Sequence, residues 1–170
     1  MGDTLGQLKI TVLKGRRLVI RDFRSSDPYV ILELGNQMAK TKVINSCLDP
    51  VWNEEFTFTL SDPAASILKL RVFDKDRFKA DDKMGHAHVN LHPLMAAARL
   101  RQIVGISCEE GPLILRKVIP ESDNCLVVDS SIFSEKNGDV VQDVRLRLRD
   151  VKSGEVELRM KLTNLPVPHK

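Results

Sequence analysis

The sequence lacks long apolar runs, and none approaches the roughly 18 residues that a helix needs to cross a bilayer. Cysteine is scarce too: Cys47, Cys108 and Cys125 are scattered through the 170 residues without the spacing of a metal site. Such a set is typical of buried, reduced thiols rather than of a disulfide framework. Residues 1–9 have no apolar core behind basic residues, so they are not expected to form a secretory signal.

Excess charge is small as well. Residues 1–100 hold 15 lysines and arginines against 12 acidic residues, and residues 101–170 hold 11 of each. Proteins that bind nucleic acid usually carry a basic stripe and a much higher isoelectric point, which excludes nucleic acid as the expected partner. At 42% apolar and 29% charged residues, the chain can bury a core, and its length suits one domain spanning 1–170.

Alternation of apolar and polar residues with a period of two dominates the sequence and predicts β-strands. One segment, Pro93–Val104, instead has an early proline, an alanine-rich run and an arginine near its end, which predicts a helix. Many strands and one helix indicate an all-β fold, an antiparallel β-sandwich. The predicted strands are 8–13, 28–34, 55–60, 68–73, 87–91, 144–148 and 154–162.

Carboxylates cluster where predicted strands end. Converging carboxylates repel one another unless a cation neutralises them, and flexible loops of hard oxygen ligands suit Ca²⁺ better than Mg²⁺. An EF-hand is excluded, because Phe78 and Lys79 stand where that loop needs a ligand and a glycine. The cluster consists of Asp22, Asp27, Asp74, Asp76, Asp81 and Asp82.

Three motifs in order, at 26–30, 49–56 and 72–85, resemble those of a C2 domain. The resemblance implies an eight-stranded sandwich in which Asp22, Asp27, Asp74, Asp76 and Asp82 chelate two Ca²⁺ ions. The main-chain carbonyls of Arg21 and Lys75 would complete the shell. No alternating strand precedes Gln7, whereas 154–162 has the pattern to fill that place. We therefore expect the circularly permuted, type II topology.

Residues 94–142 form an insertion that is much longer than a connection between the last strands needs. With motifs at 124–126, 141–144 and 146–151, the chain is similar to the small plant C2-domain abscisic-acid-related proteins, a group that includes a GTPase-activating C2 protein of rice. The similarity implies a non-enzymatic cytoplasmic protein that docks peripherally on anionic phospholipid at the plasma membrane when calcium binds; nuclear residence stays open. The insertion, a helix plus a strand, would recruit a PYR/PYL-type receptor or a YchF-type GTPase. The alternative is a calcium-independent adaptor that acts through the insertion.

Two phenylalanines, Phe23 and Phe78, lie between the expected calcium ligands. Each either inserts into lipid or packs back onto the sandwich. The cations Arg24, Arg77 and Lys79 would then face anionic lipid. By family resemblance, Tyr29, Lys40 and Lys42 match part of a phosphoinositide site, while Trp52 is expected in the core.

Three other patterns favour structural roles. His86, His88 and His92 could suggest zinc, but alternating apolar neighbours place them on a solvent face. If a three-residue loop joins the last two strands, Arg149 and Arg147 pair with Glu155 and Glu157. An α/β phosphatase interpretation of Asp74 and Asp76, with Asp139 and Asp143 as its later acids, conflicts with the near absence of helix.

Overall fold

The computed structural model describes residues 4–21, 25–61, 66–104 and 113–163. These residues form ten β-strands and one helix, which matches the predicted all-β class. In chain order the elements are β1 (Thr4–Arg16), β2 (Pro28–Leu34), β3 (Gln37–Lys40), β4 (Val51–Ser61), β5 (Ile67–Asp74), β6 (Asp82–Asn90), α1 (His92–Val104), β7 (Leu113–Val118), β8 (Ser130–Ser134), β9 (Val140–Arg147) and β10 (Glu155–Thr163).

The strands form two antiparallel sheets. One has six strands in the order β4-β1-β10-β9-β8-β7, and the other has four in the order β3-β2-β5-β6. The last strand, β10, pairs with β1 from Gln7 opposite Thr163 to Arg16 opposite Glu155, as the predicted topology requires. Eight strands make the sandwich, while β7 and β8 extend the larger sheet. The segment between β6 and β9 therefore contributes a helix and two strands, where one strand was expected.

The core lies between the two sheets because alternate residues of each strand point inward. Leu8, Ile10 and Val12 of β1 are fully buried, and Leu32 and Leu70 of the facing sheet are equally covered. Trp52 also belongs to this cluster, as predicted. The alternation that predicted the strands thus reports directly which side chains fill the sandwich.

Helix α1 begins where Asn90 Oδ1 accepts a hydrogen bond of 3.0 Å from the backbone N–H of His92. It ends at Val104, so the prediction of a helix over Pro93–Val104 is confirmed within one residue. Leu94 and Ala98 on one face are buried. In the part of the chain that the structure describes, no helix is both long enough and apolar enough to span a membrane.

Gly85 allows the smaller sheet to meet the loop 148–154 closely. Its φ is +103°, and an added Cβ would lie 2.7 Å from Val151 Cγ1 and 2.9 Å from Leu148 Cβ. Next to it, His86 and Arg149 exchange backbone hydrogen bonds of 3.2 Å and 2.7 Å. This bridge connects the edge strand β6 to the segment that leaves β9.

The predicted register between the last two strands is wrong by two residues. Arg147 lies opposite Glu155 and Arg145 opposite Glu157, because seven residues, 148–154, connect β9 and β10 instead of three. Charge pairing nevertheless persists on the diagonal, where Arg145 Nε lies 2.6 Å from Glu155 Oε1. Arg145 therefore has a structural partner in the sheet.

Candidate functional site

The acidic residues lie together at one end of the four-stranded sheet, where β2, β5 and β6 begin or end. Asp74 ends β5, and it lies opposite Pro28, which begins β2, and opposite Asp82, which begins β6. Asp27 immediately precedes β2, so it lies beside Asp74 on one side while Asp82 lies on the other. Asp76 follows in the loop 75–81. We call Asp27, Asp74, Asp76 and Asp82 the carboxylate face.

Backbone amides hold the first two carboxylates. Asp74 is 0% exposed, and its Oδ1 accepts a hydrogen bond of 2.7 Å from the N–H of Asp27. Asp27 Oδ1 accepts one of 2.7 Å from the N–H of Ser46 in the loop 41–50. The N–H of Lys75 donates to the carbonyl of Asp27 at 3.0 Å. Three loops are thereby connected through two acidic residues, which fixes the carboxylates before any ligand arrives.

A lysine ammonium lies between the other two carboxylates. Asp76 Oδ1 accepts hydrogen bonds from the N–H groups of Phe78 (2.8 Å) and Lys79 (3.2 Å). Lys79 Nζ lies 4.0 Å from Asp76 Oδ2 and 3.9 Å from Asp82 Oδ2. The side chain of Lys79 is two-thirds exposed. The protein thus places its own cation where the negative charge of the loop is concentrated.

An open pocket of about 460 Å³ lies beside these residues. Asp27 and Asp76 line it, and so does Ser46 of the loop 41–50. Arg77 and Phe78 line it as well, and Phe78 is 97% exposed. Phe78 therefore does not pack back onto the sandwich, which leaves its ring available at the tip of the loop.

The chemistry of the donor set fits a hard cation. The donors are carboxylate oxygens, which Ca²⁺ prefers, and the Lys79 ammonium already lies between two of them. Among residues 4–21, 25–61, 66–104 and 113–163, no three acidic, histidine or cysteine side chains are arranged to hold a metal ion. Asp22, a predicted ligand, lies outside the described residues, as do Phe23 and Arg24.

The two residues expected to contribute carbonyls lie next to the carboxylate face. The N–H of Arg21 donates to Ser26 Oγ at 2.9 Å, and its Nε donates to the carbonyl of Lys83 at 3.0 Å. Lys75 follows Asp74 directly, and its Nζ lies 3.9 Å from Asp81 Oδ2. Both residues are thus held by neighbours that flank the acidic loops.

Asp81 has a structural role that the motif spacing did not assign to it. Tyr29 Oη donates a short hydrogen bond to Asp81 Oδ2, and the N–H of Asp76 donates to Oδ1 at 2.8 Å. The bond from Tyr29, followed by the amide of Asp76, lowers the pKa of Asp81. Burial, reinforced by Asp81, raises the pKa of Tyr29 to about 12. The tyrosine therefore anchors the loop 75–81 to β2.

The residues predicted to bind phosphoinositide are brought together only in part. Lys40 Nζ lies 4.7 Å from the centroid of the Tyr29 ring, which is buried and stacks on Phe73 at 5.7 Å. Lys42 is exposed, and its backbone is held by Glu54 Oε2 and Trp52 Nε1. Lys40 and Lys42 are thus exposed to solvent. The Tyr29 ring, by contrast, is buried and already contacts Lys40 and Phe73.

The histidine prediction is correct for the apolar side of β6 and incomplete for the polar side. Ala87 and Val89 of the strand and Leu91 just after it are buried, as expected. His88, however, is half-buried, and its Nδ1 lies 3.6 Å from Cys125 Sγ. A period of two cannot show this contact, because it depends on how the segment after β7 packs against β6.

Comparison with known proteins gives the family. Residues 6–105 match the C2 domain family. The chain is 60% identical over 170 residues to Protein C2-DOMAIN ABA-RELATED 11 of Arabidopsis thaliana, with both proteins covered completely. The chain belongs to the C2-domain ABA-related family. It is also 42% identical over 166 residues to GTPase activating protein 1 of Oryza sativa subsp. japonica, covering 98% of this chain and 96% of the relative.

Solved C2 structures agree on the fold of this C2-domain ABA-related chain. The calcium-bound pair of C2 domains of Extended-Synaptotagmin 2 superposes with a TM-score of 0.65 at 22% identity, covering 95% of this chain. This chain spans 47% of that two-domain chain. A single C2 domain of plant Extended Synaptotagmin 1 gives a TM-score of 0.58 at 21% identity, covering 92% of this chain and 93% of that one.

Proposed function

We propose that this chain docks on anionic phospholipid membranes when calcium binds at the carboxylate face. The observation that carries the proposal is a group of four carboxylates, three at strand ends and one in the loop 75–81, beside an exposed aromatic ring and two cations, Arg77 and Lys79. Asp22, Asp27, Asp74, Asp76 and Asp82, with the carbonyls of Arg21 and Lys75, would hold two Ca²⁺ ions. Bound calcium would supply positive charge that cancels most of the carboxylate charge.

Once that charge is balanced, the side chains around the pocket present a surface that suits anionic lipid. Arg77 and Lys79 lie within a few residues of Phe78, and each cation near an anionic surface is worth about 1 kcal/mol. The exposed Phe78 ring can enter the interface, where full burial contributes roughly 1.5–3 kcal/mol. Phe23 and Arg24 would extend the same surface, and Lys40 with Lys42 would add a contact to phosphoinositide headgroups.

We infer that the segment 94–142 recruits the signalling partner. Its helix α1 leaves Leu100 and Ile103 exposed, although the opposite helix face is buried. Exposed apolar side chains on one helix face suit protein recognition. Relatives are named for abscisic acid and for GTPase activation. The partner proposed here is therefore a PYR/PYL-type receptor or a YchF-type GTPase, stimulated by stabilising the reactive state of the GTPase.

Vesicle sedimentation tests the membrane proposal. The full chain is mixed with vesicles of phosphatidylserine and phosphatidylcholine, in calcium and in EGTA, with pure phosphatidylcholine vesicles as the control. We expect the chain to sediment only with the anionic vesicles and only in the calcium buffer. Equal sedimentation in calcium and EGTA, or none in either, would contradict calcium-dependent docking.

The second candidate is a calcium-independent adaptor, favoured by the exposed residues of α1. Titration calorimetry of the chain with a purified PYR/PYL-type receptor or YchF-type GTPase, in calcium and in EGTA, distinguishes the two. An adaptor binds equally in both buffers and loses affinity when Leu100 and Ile103 become serine. Binding that survives those substitutions would show that the contact lies elsewhere.

A further inference from the structure

A second cavity lies between the smaller sheet and the segment that precedes β8, away from the carboxylate face. Its volume is about 330 Å³. Val89, Val144 and Leu146 supply apolar wall, while Glu121 and Asp123 at its rim are exposed. A cavity of this size admits small solutes from solvent and holds them against apolar side chains.

A cysteine and a histidine form a pair in its lining. Cys125 is 4% exposed, and its Sγ lies 3.6 Å from His88 Nδ1. His88 Nε2 lies 3.2 Å from the carbonyl oxygen of Asp123. Because a carbonyl oxygen can only accept, Nε2 must carry a hydrogen, which leaves Nδ1 of the neutral ring to accept the thiol proton. The pair is therefore arranged as a nucleophile beside its base.

A buried acceptor in the same lining is left for a ligand. Gln142 is 2% exposed, and its Nε2 donates a hydrogen bond of 3.0 Å to Ser130 Oγ. Its Oε1 is buried and has no hydrogen-bond partner among the described residues. A buried carbonyl without a partner is costly, and a solute that donates an O–H would remove that cost.

We propose that Cys125 is a modification site that reacts with hydroperoxides admitted to this cavity. His88 Nδ1 takes the thiol proton, and the Cys125 sulfur attacks the terminal peroxide oxygen. The S–O bond forms as the O–O bond breaks, and the leaving hydroxide or alkoxide takes the proton from His88. Sulfur is oxidised to sulfenic acid while the peroxide is reduced to water or an alcohol. Gln142 Oε1 accepts the O–H of the bound peroxide.

Cys47 provides a comparison inside the same chain. It is a free cysteine like Cys125, but it is the more exposed of the two, and no histidine lies within hydrogen-bond reach of it among the described residues. If access alone controlled the reaction, Cys47 would be oxidised first. If the histidine controls it, the order reverses.

The experiment treats the reduced full chain with hydrogen peroxide and traps sulfenic acid with dimedone, measured for each cysteine by mass spectrometry. We expect Cys125 to react at least about tenfold faster than Cys47, and His88→Asn to slow Cys125 by a similar factor, since a positioned base typically contributes more than that. Equal or slower reaction of Cys125 in the unmodified chain would overturn the proposal without any variant.

Gln142→Met separates peroxide binding from thiol activation. The substitution should slow oxidation of Cys125 by hydrogen peroxide but leave its reaction with methyl methanethiosulfonate unchanged, because that reagent has no O–H or N–H to donate. His88→Asn should slow both reactions. Thermal unfolding of each variant shows that the fold is kept. If Gln142→Met changed neither rate, the assigned acceptor role would be wrong, and if His88→Asn changed neither, the base would be wrong.

Discussion

The carboxylate face and the cavity beside Cys125 both gather ionisable side chains, but they satisfy them differently. At the carboxylate face, Asp27, Asp74 and Asp76 accept hydrogen bonds from backbone amides, and lysine ammonium groups lie nearby in solvent. At the cavity, His88 and Cys125 contact each other in a lining that is partly apolar and partly polar. The first region therefore suits an external ion and a charged surface, whereas the second suits a small solute.

If this division is correct, substitutions in one region leave the other unchanged. Variants of the carboxylate face should alter calcium and lipid binding while Cys125 keeps its rate of oxidation. Variants of His88 should do the reverse. A variant that alters both properties without loss of fold would show that the regions are coupled, so each variant is assayed for both properties.

The largest effect is expected from Asp27→Asn combined with Asp76→Asn. Asparagine keeps the Oδ1 atoms that accept the amides of Ser46 and Phe78, so the loops should stay folded while two charges disappear. Because calcium affinity depends strongly on the number of charged ligands, we expect a decrease of at least about 100-fold by calorimetry. Lipid sedimentation in calcium should be lost.

The matched control for that pair is Asp139→Asn. Asp139 lies in the β8–β9 turn, next to Val140, which pairs with Leu162 near the end of β10 that is remote from loop 17–27. The Asp139→Asn substitution therefore removes a carboxylate that is not part of the carboxylate face. Calcium affinity that stays unchanged in the double variant, or falls equally in the control, would contradict the assigned site.

Removal of the Phe78 ring should have the next largest effect. If Phe78→Ala eliminates an inserted side chain worth roughly 1.5–3 kcal/mol, vesicle affinity in calcium falls by about 10- to 150-fold. Calcium affinity without vesicles should not change, because the ring supplies no ligand. Ile103→Ala is the control, since Ile103 is also exposed but lies on α1. Equal losses for both variants would indicate nonspecific hydrophobic adsorption.

That Asp27, Asp74 and Asp82 lie close together could be predicted from the sequence, because these residues stand in short motifs at the ends of strands whose alternation reports burial. Asp74 and Asp82 meet because β5 and β6 are consecutive and antiparallel. The contact of His88 with Cys125 could not be predicted in this way. Their 37-residue separation is closed only when the segment after β7 packs on β6, and no local pattern encodes that packing. The prediction of the β9–β10 register was wrong for a similar reason. The register depends on the length of the loop between the strands, and the alternation pattern does not show where that loop begins.

Lys79→Gln should produce a smaller change with opposite signs in two assays. In this variant, calcium no longer competes with the ammonium near Asp76 and Asp82. Calcium affinity in solution should therefore rise by up to about fivefold, which is the scale of an exposed ion pair. Affinity for anionic vesicles at saturating calcium should fall by about fivefold, since one cation near the membrane is lost. Arg77→Gln, which removes a neighbouring cation that forms no ion pair in the described residues, should only weaken vesicle binding. If both variants behaved alike, Lys79 would not be acting as the internal counter-ion.

Tyr29→Phe should produce the smallest effect, on stability rather than on binding. The phenyl ring keeps its stacking on Phe73, while the hydrogen bond to Asp81 is lost at a cost of about 1 kcal/mol in the free energy of unfolding. The lowered pKa of Asp81 means that its contribution is present above its usual value of 3.8 and is lost as pH falls through the folded value. The raised pKa of Tyr29 means that its contribution is complete below 10 and disappears as pH rises towards about 12.

The stability difference between the native chain and Tyr29→Phe should therefore be widest between about pH 4 and 10 and narrow on both sides. Urea unfolding at several pH values measures it. Asp81→Asn separates charge from geometry, because the amide oxygen still accepts from Tyr29 but no longer carries a charge. A difference that stayed constant across pH would mean that the hydroxyl acts through packing alone. The loop 75–81 would then owe its position to the hydrogen bonds around Asp76 rather than to the Tyr29 hydroxyl.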